Sequence, residues 1–342
     1  MKSRKYKITV SLAILVVIVV GVFVFNNNRQ SEENREAQTE EESAESLIDF
    51  ESMTDERLTA YHDFIQSGGP PPDGIPPIEE PIYESMAEAD ILMDDQDVVF
   101  IVEAEDRVFI YPQRILVWHE IVNEEFNGEK VSITYCPLTG SAIGYKGSIQ
   151  EIETDFGTSG KLINSNLVMY DRETESYFPQ ILGIAVDGEL KGQRLEEFPV
   201  LWSTWGRVKE QYDDAQVLSE NTGFIRDYNQ DPYGSYVESS GFYYSDALIY
   251  PVMFENDQFQ NKEVMIAGRV GDEPFAIPKK SLAEEKIIHF NLGDHSLVAN
   301  YYEALDTARV FIEDEEEEIF VNSYDVMWFA WYAFFPETMV YE

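Results

Sequence analysis

The chain has 342 residues, 65 of them acidic against 24 basic, and a formal charge of −41. A polyanion of that density repels phosphate backbones, which excludes nucleic acid as a partner, and it is most easily tolerated in a salty exterior where screening is strong. The single cysteine, Cys136, excludes an intramolecular disulfide, so packing must hold the fold, and 21 Phe, 20 Tyr and 5 Trp supply material for a large core.

Lys2, Arg4, Lys5 and Lys7 precede Ile8 to Phe25, eighteen residues in which Thr9, Ser11 and Gly21 are the only breaks in an apolar run. That length spans the hydrocarbon layer as one helix. A cleavable signal has a shorter apolar core and a small-x-small cleavage site, whereas Asn26-Asn27-Asn28-Arg29 follows here, so the segment reads as an uncleaved anchor. The basic tip stays cytoplasmic by the positive-inside rule. Residues 1–25 therefore predict a single-pass cell-membrane protein that contacts the membrane through this helix, with its C-terminal domain extracytoplasmic.

From Asn26 to about Glu45 the chain is Asn, Gln, Glu and Ser with almost no apolar residue, a composition that cannot offset the entropy of ordering. A short helix is expected over Leu47 to Ile65. Gly68-Gly69-Pro70-Pro71-Pro72-Asp73-Gly74-Ile75-Pro76-Pro77 then breaks regular structure and wraps a domain edge as extended chain. Residues 26–74 thus read as an acidic disordered stalk and Pro/Gly-rich lead-in, and residues 75–342 as the folded domain.

A shift of 166 residues lays Val98 to Tyr145 on Val264 to Phe311 without a gap, with eight of 48 pairs identical, among them Asp106 with Asp272, Pro112 with Pro278 and Tyr135 with Tyr301. Farther on the offset is 123, and Trp205, Tyr212 and Val217 lie on Trp328, Phe335 and Val340. Each copy, about 98–218 and about 264–341, reads as a hairpin, a segment opened by proline, a strand ending at tyrosine and a closing helix with an aromatic core stripe. The expected fold class is α+β and β-rich, with two pseudo-equivalent repeat halves sharing one core.

Trp118-His119-Glu120-Ile121-Val122-Asn123, then Tyr135-Cys136-Pro137-Leu138-Thr139-Gly140, then the Asn166 to Thr174 and Arg226 to Gly234 strings resemble a bacterial and archaeal domain-of-unknown-function family marked by a Tyr-Cys-Pro-Leu-x-Gly motif. The resemblance covers roughly Ile75 to the C-terminus and implies kinship without an activity. It also implies that a second cysteine often stands where Thr139 stands here, so any redox role resting on a Cys-x-x-Cys pair has no basis in this chain.

The repeat supplies an internal comparison. Copy two carries Glu285 for His119, Tyr302 for Cys136, Glu303 for Pro137 and Leu305 for Thr139, which places any site in copy one. Cys136 ends a predicted strand, Pro137 turns the chain, and the amides of Gly140 and Ser141 are positioned to face a ligand, with Thr139, Tyr170 and Arg172 as further ligand-binding candidates. Cys136 and His119, with Met169, make a ligand set for a soft transition metal. The same pair, with Asp171 orienting His119, makes the nucleophile and base of a thiol enzyme. The plain alternatives are a buried cysteine acting as a small hydrophobe, a histidine satisfying one buried hydrogen bond, and a turn with a surface ion pair at Asp171-Arg172-Glu173.

Asp227, Asn229, Asp231, Tyr233, Ser235 and Glu238 follow the oxygen-donor spacing of a calcium loop, although Pro232 stands where its sharp turn takes glycine. An Asx-rich turn is the alternative. Three readings stay open: a membrane-anchored module binding a small molecule, a protein or a soft metal (less favourably calcium), a thiol-dependent enzyme, and a structural surface protein with no site.

Overall fold

A computed structural model describes residues 54–104, 106–236, 240–314 and 318–342. The anchor and stalk expected over residues 1–45 lie outside the described residues, and no helix among the described residues is long and apolar enough to cross a membrane. Among the described residues six helices and several largely antiparallel sheets make an α+β architecture in which strands dominate.

The helix expected over 47–65 is observed at Asp55–Asp63. Thr54 caps it by accepting from the Arg57 amide, and Asp55 and Glu56 sit at the positive end of its dipole. Leu58 and Tyr61 on its inner face are buried, and Tyr61 Oη donates to the Phe334 carbonyl at 2.6 Å. Arg57 reaches the same carbonyl at 2.7 Å and Glu337 at 2.7 Å. The helix belongs to the folded body, which begins ahead of Ile75, because two apolar side chains on one helical face find a core to enter.

Val98–Ala104 and Arg107–Pro112 form a hairpin, and the burial of Val99, Phe100, Ile101 and Val102 marks the first as a core strand covered on both faces. Pro112, with φ fixed near the helical value, opens the helix Gln113–His119, and Glu120 closes it in the left-handed region at φ 60°. Ile121–Phe126, Glu129–Cys136 and Ser141–Lys146 follow as an antiparallel meander. Leu201–Thr204, the helix Trp205–Gln211 and Gln216–Leu218 then return the chain to the first hairpin, the last strand running parallel to Arg107–Pro112.

A second set comprises Val264–Val270, Glu273–Pro278, the helix Lys279–Glu285, Ile287–Leu292, His295–Tyr302, Thr307–Glu313, Ser323–Met327, the helix Trp328–Phe334 and Met339–Val340. Between the two, Phe156–Ile163, Asn166–Asp171 and Tyr177–Pro179 pair in sequence as a further sheet, edged by Gln66–Ser67.

The largest apolar cluster draws on all three regions: Cys136, Ile143, Met169 and Phe178 pack with Met265, Ala276, Trp328, Trp331 and Phe334. In the helix Trp328–Phe334 every residue but Tyr332 is buried, so its aromatics are core, each contributing roughly 2–3 kcal/mol by leaving water. Smaller clusters gather around Phe100, Tyr111 and Tyr135, and around Val99, Trp205 and Val217.

Docking of the first described helix is open to test. Tyr61→Ala is expected to lower the unfolding free energy by about 3–5 kcal/mol, the range for deleting a buried aromatic, while Thr59→Ala on the outer face stays within about 0.5 kcal/mol of the parent. Urea melts check this, and equal midpoints for the two variants would detach the helix from the core.

Candidate functional site

The strand Glu129–Cys136 ends at a turn that re-enters as Ser141–Lys146, with Cys136 paired to Ser141. Gly140 takes φ 58°, and a Cβ there would meet the Met327 side chain at 3.1 Å, so both backbone and space call for glycine. Thr139 and Ser141 are fully buried, with their hydroxyls 2.9 Å apart. Ser141 donates to Gln180 Oε1 at 2.7 Å, and Asn166 Nδ2 donates to Thr139 Oγ1 at 3.1 Å and to Gln180 Oε1 at 2.8 Å. Gln180 Nε2 in turn donates to Thr134 Oγ1 at 3.0 Å and to the Ser141 carbonyl at 3.1 Å. These polar side chains satisfy one another, which makes Thr139 and Ser141 braces of the turn and leaves them little to offer a ligand.

Cys136 is buried in the same region. Its Sγ accepts from the Leu167 amide at 3.4 Å, and its S–H is directed at the Ser165 carbonyl at 3.8 Å. Burial pushes the thiol up to about 11, and the Glu120 carboxyl adds to the effect. Glu120 was not among the sequence candidates. It is 8% exposed, its carboxyl has no hydrogen bond or ion pair with a described residue, and burial raises it to about 8. Its sequence position beside His119 was visible, but its inward direction depends on the left-handed backbone at this helix end.

His119 is fully buried. Its Nδ1–H donates to the Pro76 carbonyl at 2.8 Å, which fixes the tautomer and leaves Nε2 to accept the Tyr228 hydroxyl at 2.8 Å. Burial lowers its pKa, so the ring is neutral. Both nitrogens are therefore engaged away from Cys136 and Asp171. Asp171 accepts the amides of Thr174 at 2.7 Å and Ser176 at 2.8 Å and the Thr174 hydroxyl at 2.7 Å, closing a hairpin turn. Met169 shares the apolar cluster of Cys136. Tyr170 donates to Asp73 at 2.7 Å, and Arg172 bridges Asp73 at 2.9 Å and Glu79 at 2.6 Å, so this pair fastens the lead-in segment to its strand.

In the calcium-like stretch Asp231 accepts from Gln113 at 2.9 Å and Tyr243 at 3.2 Å, Asn229 Oδ1 accepts from Arg114 at 2.6 Å, and Asp227 caps the Asn229 amide at 3.3 Å. Glu238 lies outside the described residues. Among the described residues no group of three or more His, Cys, Asp or Glu is gathered as for a metal ion.

A cavity of about 480 Å³ opens beside Gly140, lined by Trp202, Tyr236, Lys262, Lys279, Lys280, Asp306 and Asp325. Behind it the Tyr236 hydroxyl lies 2.9 Å from that of Tyr135, its ring stacks on Tyr243 at 3.8 Å, and the Trp202 ring meets it edge-on at 5.3 Å. Buried Asp325 holds Lys279 Nζ at 2.6 Å. Lys262 Nζ donates to the carbonyls of Phe242, Ser245 and Ala247, and burial lowers it to about 8. Of the predicted ligand-binding residues Gly140 alone lines this cavity, while Trp202 and Tyr236 were not among the sequence candidates. A second groove of about 420 Å³, walled by Phe126, Phe198 and Phe320, carries none of the predicted site residues.

The family model described as a protein of unknown function (DUF3179) matches residues 72–338. No curated protein and no solved structure matches the chain.

Glu120 gives a pH test. Its folded-state value of about 8 lies above the ordinary 4.5, so the folded protein keeps a proton that the unfolded chain has released, and the associated stability is lost as pH rises from about 4.5 through 8. Glu120→Gln cannot ionise. Between pH 4.5 and 8 the stability of the variant relative to the parent should therefore rise by roughly 3–4 kcal/mol in the presence of chelator. Denaturant melts across that window that leave the difference flat would place the carboxyl in water.

Proposed function

We propose that this chain, which belongs to the DUF3179 family of proteins of unknown function, is a membrane-anchored extracytoplasmic binding module whose ligand site is the cleft beside Gly140. The observation that carries the reading is the cleft itself: a cavity of about 480 Å³ set against a turn braced by a satisfied polar network. Trp202 and Tyr236 offer ring faces, and Lys280 with the Lys279 and Asp306 pair offers charged groups at the rim. Such a lining takes a small polar molecule that carries a ring.

Duplication is part of the same reading, and strand register supports it. Val99 pairs with Pro112 and Met265 with Pro278; Ile121 with Thr134 and Ile287 with Asn300; Val131 with Lys146 and Leu297 with Ile312. Each second pair is the first moved by 166. The parallel pair Val217 with Ile110 has Val340 with Ala276 as its equivalent, moved by 123 and 166. Unrelated meanders have no reason to keep register to the residue, whereas copies of one unit do. The cleft then lies between copies, Gly140 and Trp202 from one facing Lys279 and Asp325 from the other.

Anchoring rests on residues 1–25. Protease added to intact cells is expected to release the folded body by cutting within Asn26 to Glu45; full protection would reverse the topology.

The thiol-enzyme reading has less to support it, since Cys136 is sealed and held protonated while His119 and Asp171 are committed to Pro76, Tyr228 and a turn. Native Cys136 should react with iodoacetamide at neutral pH far more slowly than in urea. Fast native alkylation would restore that reading.

The cleft is tested by ligand-observed NMR of the full chain in detergent against a set of sugars, nucleosides and aromatic acids. Binders are expected, and Ala283→Trp, which fills the cleft from the Lys279–Glu285 helix, should abolish their signals. Signals that persist in that variant would move the site elsewhere, and a complete lack of binders to the parent protein would leave the cleft without a function.

A further inference from the structure

One strand edge in the second set is bare where its counterpart in the first is covered. In the first, Ile78 lies parallel to the edge strand Ile121–Phe126, donating its amide to the Ile121 carbonyl at 2.9 Å and accepting the Asn123 amide at 2.8 Å. Its side chain is buried, and its neighbours are held as well: the Pro76 carbonyl accepts from His119, and Glu79 accepts from Asn123 Nδ2 at 2.9 Å and pairs with Arg172. An extended, proline-bearing stretch thus closes that edge.

Moved by 166, the same edge is Ile287–Leu292, the outermost strand of its sheet. Tyr301 donates its amide to the Lys286 carbonyl at 2.8 Å as Tyr135 does to Glu120 at 2.7 Å, and both helix ends turn through the left-handed region, at φ 69° and 60°. Antiparallel bonding alternates from there, so the Ile287 carbonyl and the His289 amide face outward, as those of Ile121 and Asn123 do. Among the described residues neither group has a partner; Ile287 is 54% exposed, and His289 is exposed beside it. The equivalents of the covering stretch, around Tyr244, lie elsewhere: Phe242, Tyr243 and Leu248 pack on the largest apolar cluster, and Tyr244 is exposed.

We propose that this edge binds an extended basic segment of a partner protein as an added strand, parallel to Ile287–Leu292. The Ile287 carbonyl and the His289 amide fix the register of the incoming chain, and its docking residue lies beside Ile288 as Ile78 lies beside Val122, with an apolar neighbour over Ile287. Charge names the rest of its chemistry. Glu285 stands in the place of His119, which in the first set meets the residue two before the docking one, and Glu285 is exposed. His289 stands in the place of Asn123, which meets the residue after it, and His289 lies 3.1 Å from the Glu313 carboxylate. Lys286, the nearest base in sequence, is paired with Glu303 at 3.2 Å. Two carboxylates therefore flank the edge in a chain of charge −41, which favours Lys or Arg on both sides of the docking residue and disfavours a second copy of this acidic chain. The open edge is observed directly; the form of its occupant rests on the duplication, and neither depends on the cleft.

The probe is a fluorescent peptide with the sequence of Gly74 to Glu80 in which Lys replaces Pro76, Glu79 and Glu80, added to the full chain in detergent. Saturable binding of one peptide per chain is expected, and exchange of the His289 amide, fast in the free protein, should slow by about tenfold or more in the complex. His289→Pro removes the outward donor without touching the bonds to the neighbouring strand, and it should weaken binding by about tenfold or more while near-ultraviolet circular dichroism stays that of the parent. Should that variant fail to fold, Ile287→Lys changes only an exposed side chain and is expected to weaken the basic peptide as well. The unaltered acidic peptide should bind more weakly than the basic one, and Glu285→Lys should narrow the gap. Ala283→Trp should leave peptide binding unchanged, which separates the edge from the cleft. Absence of binding, parent-like affinity in the edge variants, or equal affinity for the acidic peptide would each overturn the proposal. So would a His289 amide already protected in the free protein: a dimer mass in light scattering would then make the occupant a second copy, and a monomer mass a segment of the same chain.

Discussion

The rest of the first half depends on one buried amide, the side chain of Gln180. It accepts from Ser141 and Asn166 and donates to Thr134 and the Ser141 carbonyl, so a single residue joins two strands of the meander to the strand Asn166–Asp171. The Met327 amide, donating to the Thr139 carbonyl at 3.0 Å, extends the connection into the second set of strands. Groups buried this deeply stabilise a fold only when all are satisfied, because one lost partner leaves an orphan in a low-dielectric interior. The turn is therefore rigid by necessity. Its rigidity sets where Gly140 meets the cleft and where Cys136 sits.

Burial also sorts the polar residues near that turn into two kinds. His119, Asp171 and Asn166 are buried with full sets of partners, and their hydrogen bonds account for them as structure. Cys136, 1% exposed, accepts from one amide and faces one carbonyl, whereas Glu120, 8% exposed, has no hydrogen bond with a described residue. The first kind fixes geometry through hydrogen bonds; the second is held neutral by burial, Glu120 and the Cys136 thiol both being raised.

The aromatic stripes of the helices Trp205–Gln211 and Trp328–Phe334 were readable because helical spacing puts Trp205 with Val208, and Trp328 with Trp331, on one face, and those faces are buried. The hairpins around Asp106 and Asp272 were readable because period and turn residues are local signals. The site was much less legible. Cys136 and His119 stand out by residue type, but the imidazole is held by the Pro76 carbonyl and the Tyr228 hydroxyl, partners 43 and 109 residues away in sequence. Gln180 was not among the sequence candidates, since its partners come from strands far away in sequence. The helix Asp55–Asp63 was legible as a helix, but its docking on Phe334 was hidden by the acidic stretch around it.

In a chain with 24 basic residues against 65 acidic ones, bases are scarce, and buried acids have received several of them. Glu197 is held by Arg269 at 2.7 Å with both side chains largely buried, and Asp325 is held by Lys279 at 2.6 Å. An unpaired buried carboxylate costs more than a surface one gains from any ion pair, so placing bases inward is the economical use of a limited supply. Glu120 departs from that pattern: it is as buried as these acids, and no ion pair with a described residue holds it. An acidic surface explains exposed carboxylates without partners. It does not explain Glu120, whose burial instead raises its carboxyl to about 8, so that at neutral pH it keeps its proton and needs no base.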